Sequence, residues 1–212
     1  GRELARDLEA PPGMYLDRTL YVRSEALRRW LWEKYEEWSW NRKNEAMGRA
    51  FALHGFGTDA EAALDRMVGT ELESVILHEL GEAHVGAMLG EAWERLMLDV
   101  FRSRAEIIVR AVRDLLADCE STLPGLLARG DAAALHFFVA NFVGMRRKLF
   151  PELAEAYAAW LADGDTTPLA RVAAVGRGQW RALADELLAL HDRLGEAAGV
   201  AIEARLAPRL AC

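Results

Sequence analysis

The chain has 212 residues with 26 basic and 33 acidic side chains, a net charge of −7 with His neutral and a pI near 5.3. An acidic balance of this kind argues against nucleic acid as a partner, because phosphate recognition needs a basic stripe. At 52% hydrophobic and 28% charged, the composition excludes a disordered or fibrous chain.

Gly1 to Arg18 reads as an N-terminal arm trimmed from a longer chain, with Arg2, Asp7 and Glu9 interrupting anything like a signal peptide. From residue 19 to 212 the sequence reads as one helical bundle domain. Helix formers dominate and strand formers are few. The first helix is expected over Ser24–Trp40, with Leu27, Leu31, Tyr35 and Trp38 on one face. A second, over residues 44–54, is stopped by Gly55 and Gly57. Thr58 with Glu61, and Thr70 with Glu73, carry capping-box spacing for a third and a fourth helix. The fourth continues through His78 and His84 until Gly86 or Gly90 weakens it.

Leu98, Phe101, Ala105, Ile108, Val112, Leu115 and Cys119 recur three and four apart, the seam of a bundle helix ending near Glu120. Asp131 caps the next, with Leu135, Phe138, Phe142, Met145 and Leu149 inward. Pro151 opens another that ends at Asp163–Gly164. A last long helix carries Trp180, Leu183, Leu187, Leu190 and Leu194 inward and closes at Pro208. The expected architecture is all-α, about eight helices around one core and no sheet. The longest apolar run, Leu135–Met145, is eleven residues and contains His136 and Asn141, so no membrane span is expected. Cys119 and Cys212 cannot build a disulfide framework, which fits a reduced, cytoplasmic setting.

The segment Val75–Val85 is the most informative. Its apolar residues fall around the whole helical circumference, so its ionisable groups sit in or beside a core. His78 and Glu82 are one turn apart on one face, and Glu71 and Ser74 continue that stripe. The string His78-Glu79-Leu80-Gly81-Glu82 resembles the zincin motif His-Glu-x-x-His, with Glu82 in place of the second histidine ligand. That resemblance implies Glu79 as the catalytic base. A second resemblance, architectural only, is to helical di-iron carboxylate and heme-oxygenase-like enzymes, although no His here has a Glu three residues before it. The expected site is therefore His78, Glu82, His136 and Asp118 around one divalent ion, iron, manganese or zinc, serving an oxidoreductase or a hydrolase acting on a small molecule.

Two alternatives stand beside it. Glu82 is neutralised by a core arginine such as Arg104, Arg110 or Arg146, Asp114 pairs with Arg110, and the polar groups are structural. Or the chain is a non-enzymatic scaffold that forms a homodimer through Trp30, Trp32 and Trp40, which point to several sides of the first helix. Cys119, on the apolar seam, reads as a packing residue.

Overall fold

The computed structural model describes residues 11–210; the first ten residues of the arm expected over Gly1–Arg18, and Cys212, lie outside the described residues. The first element is a surprise to the sequence reading. Strands β1 (Gly13–Leu16) and β2 (Thr19–Val22) form an antiparallel hairpin in which Gly13 faces Val22 and Leu16 faces Thr19. Its two-residue turn, Asp17–Arg18, has positive φ at both positions (49° and 61°), the geometry that matches strand twist. The expectation of no sheet fails here for a physical reason. Met14-Tyr15-Leu16 and Leu20-Tyr21-Val22 are β-favouring runs, and turn chemistry normally signalled by glycine is carried by Asp17 and Arg18.

Among the described residues every element after the hairpin is helical: α1 (Ser24–Asn41), α2 (Glu45–His54), α3 (Ala60–Asp99), α4 (Arg104–Ala117), a π-helical turn (Asp118–Thr122), α5 (Leu123–Arg129), α6 (Ala132–Ala140), α7 (Gly144–Leu149), α8 (Glu152–Asp163), α9 (Thr167–Leu194), a 3₁₀ turn (Gly195–Ala197) and α10 (Ala198–Leu210). Several boundaries are dictated locally. The Asn44 carboxamide accepts from Met47 N, and Gly55 takes φ 86° to close α2. Asp131 Oδ1 accepts from the amides of Ala133 and Ala134 to start α6.

Other boundaries move. Asp59, not Thr58, caps the start of α3, through Ala62 N at 3.1 Å. Thr70 starts nothing, because it lies inside α3. The expected helix through Leu98 and Phe101 is interrupted at residues 100–103, where Arg102 has φ 61°, and both residues are exposed. Ser103 then caps α4 by accepting from Glu106 N. Pro208 does not end the last helix but lies inside α10; the break falls earlier, at Gly195. Within α3, Gly90 has φ 64° and ψ −165°, a conformation open essentially only to glycine, and the helical path is broken there.

The described residues form two compact units. The first runs to Leu80 and includes Ala128–Asn141; the second comprises Gly81–Leu127 and the chain from Phe142 onward. The core of the first is aromatic. Phe51 stacks edge-on against Tyr35 at 5.3 Å and Phe56 at 4.9 Å, and Trp30 meets Phe137 at 5.5 Å, with Leu27, Leu31, Met47 and Met67 filling between. Asn44 ties this core to α6 by donating to the carbonyl of Ala140 at 3.0 Å.

The second unit is built on α4 and α9. Ile108, Val112, Leu115 and Leu116 of α4 and Leu169, Trp180 and Leu187 of α9 are fully buried. Phe150 stacks on Trp180 at 5.2 Å. Two glycines allow close packing on the π-helical turn and the residue before it. A Cβ on Gly81 would stand 2.9 Å from the carbonyl oxygen of Ala117 and 2.9 Å from Ser121 Cβ; one on Gly176 would stand 2.7 Å from Cys119 Sγ.

These approaches are testable. Gly81→Ala is expected to lower stability by about 1–3 kcal/mol, because its Cβ meets backbone that has nowhere to go. Gly86→Ala, in the same helix but with open space around it, should be neutral or stabilising by up to about 1 kcal/mol. Urea denaturation of the two variants measures both.

Candidate functional site

Gly81 brings α3 against the end of α4, and Glu82 follows it directly. Arg113 of α4 then forks between two carboxylates: its Nη2 donates to Glu82 Oε1 at 3.3 Å and to Asp114 Oδ1 at 3.1 Å, while its Nε donates to Asp114 Oδ1 at 3.3 Å. One turn on, at the start of the π-helical turn, Asp118 accepts from Arg146 Nη1 of α7 at 2.8 Å. The Arg146 guanidinium also lies 5.4 Å from the Phe142 ring. Three carboxylates and two guanidiniums thus meet beside a π-helical turn, a geometry that recurs at functional sites.

Exposure differs across the cluster. The Asp118 side chain is only 4% exposed, whereas those of Glu82 and Asp114 are 29% and 27% exposed, so the outer two carboxylates are reachable from solvent. Burial pushes the Asp114 carboxyl above the usual carboxylate range. The charges of Glu82 and Asp118 push it further, and Arg113 opposes them. Asp114 is therefore the group in this cluster poised to take up and release a proton.

Of the residues expected from sequence, Glu82 and Asp118 both fall in this cluster, each beside an arginine. His78 and His136 belong to the first unit, on α3 and α6. His136 is buried, and burial together with the charge of Arg49 lowers its pKa, which keeps the imidazole neutral. Glu79 packs toward the hairpin, its Cγ standing 2.7 Å from where a Cβ on Gly13 would be. Among the described residues, no three His, Cys, Asp or Glu side chains are grouped as a metal ion would require. The arginine on Glu82 is Arg113, not Arg104, Arg110 or Arg146. Arg110 instead pairs with Glu106 at 2.8 Å, one turn away on its own helix, and Arg146 belongs to Asp118. Cys119 is buried on the apolar seam, and burial and the charge of Asp118 push its thiol pKa up, as befits a packing residue. Of the three tryptophans expected at an interface, Trp30 and Trp32 pack on the core of the first unit, and Trp40 is 90% exposed.

A second polar group lies inside the first unit. Glu71 is 3% exposed, and among the described residues its Oε1 has no hydrogen-bond partner; neither do Ser74 Oγ, Arg129 Nη1 or His54 Nε2. Arg129 also pairs with Glu73 at 3.1 Å and reaches Asp131 at 3.6 Å. Burial drives the Glu71 carboxyl up to about 8, with Asp131 adding to the rise and Ser74 and Arg129 opposing it. Burial also lowers the His54 pKa. Glu71 and Ser74 were legible as a continuation of the His78–Glu82 stripe. Arg113 and Asp114 were not, because adjacent residues on a helix do not share a face and give no periodic signal.

Residues 28–209 match a family described as a family of unknown function (DUF6866), C-terminal domain. The chain belongs to that family. No curated protein and no solved structure matches it. Among the described residues of this DUF6866 chain, no helix is long and apolar enough to cross a membrane.

Glu71 gives this domain a pH dependence of known sign. The unfolded side chain loses its proton near pH 4.5, whereas the folded one keeps it to about 8, so folding takes up a proton between these values and stability falls as pH rises through that window. Glu71→Gln is expected to raise stability at pH 8 and to flatten this slope, measured by urea denaturation at pH 4.5, 6 and 8.

Proposed function

We propose that this chain is a helical binding protein for a small organic cation, an amine or a guanidine, received at the Glu82–Asp114–Asp118 cluster. The observation that supports this reading most directly is the forked Arg113. Its single guanidinium is shared by Glu82 and Asp114, and Arg146 holds Asp118 close by, so three negative groups crowd together and Asp114 has the raised proton affinity. At low pH the balance is met by a proton on Asp114. A cationic ligand takes the place of that proton, so binding and deprotonation of Asp114 are coupled. Arg113 holds Glu82 and Asp114 facing the ligand, and Arg146 fixes the position of the buried Asp118.

Calorimetric titration with a panel of small amines and guanidines tests the reading. Run in two buffers of different ionisation enthalpy, near the pH at which Asp114 titrates, it is expected to show saturable binding with proton release. Asp114→Asn should bind the same cation at least about ten-fold more weakly and release no proton. Absence of binding across the panel, or unchanged proton release in Asp114→Asn, would defeat the reading.

A further inference from the structure

The second unit carries a different recess, outside the carboxylate–arginine cluster. Helices α8 and α9 enclose a cleft of about 350 Å³. Its floor is apolar, from Ala156 and Ala159 of α8 and Pro168 and Val172 of α9. The size falls at the small end of the range for small-molecule sites. Three charged side chains stand at its edge: Glu152 and Glu155 in the first turns of α8, and Arg171 in α9.

Glu152 and Glu155 suit a helix N-terminus, where the dipole favours negative charge, and that alone accounts for carboxylates there. It does not account for Arg171. Elsewhere in this unit several arginines are paired: Arg181 with Asp185, Arg205 with Glu186 and Arg177 with Glu120. Arg171 lines the same cleft as two carboxylates. Yet among the described residues no ion pair joins them, and none of the three has another ionic partner. The cleft therefore carries both signs of charge beside its apolar lining, with no ion pair between them.

From this arrangement we infer that the α8–α9 cleft is a binding site for a hydrophobic free α-amino acid. Its ammonium group is received by Glu152 and Glu155, its carboxylate by Arg171, and its side chain lies on Ala156, Ala159 and Val172. Arg171 supplies the planar fork that matches a carboxylate. A zwitterion offers both signs of charge the partners that the protein's own side chains do not supply. An amine without a carboxylate, or a carboxylate without an amine, satisfies only one edge. This site is separate from the one proposed for the organic cation and stands or falls independently of it.

The test uses L-phenylalanine, with phenethylamine and 3-phenylpropionate as its two halves, and the full chain carrying Asp114→Asn, which weakens the amine site proposed at the carboxylate–arginine cluster; titrations are followed by ligand-observed NMR. L-Phenylalanine is expected to bind saturably, and each half-ligand at least about ten-fold more weakly. Arg171→Ala should erase the preference for L-phenylalanine over phenethylamine. Glu152→Gln/Glu155→Gln should erase the preference over 3-phenylpropionate. All three positions are exposed, so the folded state is expected to survive these changes, checked by circular dichroism. Ala159→Trp, which fills the half-buried floor, should abolish binding of L-phenylalanine and 3-phenylpropionate. The affinity for 3-phenylpropionate, which has no amine, should be the same when Asp114 is restored, which separates this site from the carboxylate–arginine cluster. The inference is overturned if L-phenylalanine fails to bind at millimolar concentration. It is equally overturned if binding survives Ala159→Trp, or if the half-ligands bind as tightly as the zwitterion.

Discussion

The bare backbone of Gly81, standing against the carbonyl of Ala117, is the contact on which the polar cluster of the second unit depends. Without a Cβ, α3 reaches the end of α4 closely enough for Glu82 to meet the guanidinium of Arg113. Across the π-helical turn, Gly176 performs the same service for α9 against Cys119. The extra residue accommodated by the wider turn sets Asp118 inward, toward Arg146, while Asp114 one turn earlier stays partly open. Packing and chemistry are thus one problem here: the close approaches that exclude water behind Asp118 also raise the proton affinity of Asp114.

The first unit solves a different problem. It joins three helical segments and α6 mainly through aromatic rings, which bury much area with few side-chain rotamers to fix. Into this apolar interior it admits Glu71, a group whose ionised form burial disfavours strongly. Ser74 and Arg129 offset part of that cost, and Asp131 adds to it. Asp131 cannot be dispensed with, because the same carboxylate caps α6 by accepting from two backbone amides. The capping of one helix and the protonation of a residue on another are therefore linked through a single side chain.

Much of this was legible in the sequence. The helical class, the caps at Asn44 and Asp131, the stop at Gly55 and the start at Pro151 follow from local rules that need no tertiary information. So does the placement of Glu82 and Asp118 beside apolar surface. What periodicity could not show was which cation each would meet. Arg113 and Asp114 are neighbours in sequence, so their shared role depends on side-chain length and on a glycine thirty-odd residues earlier. The hairpin escaped because Asp17 and Arg18 adopt positive φ without glycine. Leu98 and Phe101 misled for the opposite reason: they continue a helical period across residues where the backbone has already turned.

The division of the chain into units has a consequence for the order in which it is made. Residues Ala128–Asn141 belong to the first unit although they are synthesised after a large part of the second. Phe137 stacks on Trp30, and the carbonyl of Ala140 holds Asn44, so the earliest helices wait for partners roughly a hundred residues downstream. On the ribosome, α1 and α2 must therefore remain open, with their tryptophans and phenylalanines exposed, until α6 has emerged. During that interval, while Gly81–Leu127 is being translated, Trp30 and Asn44 lack the partners that α6 brings, and the apolar face that α6 will cover stays open.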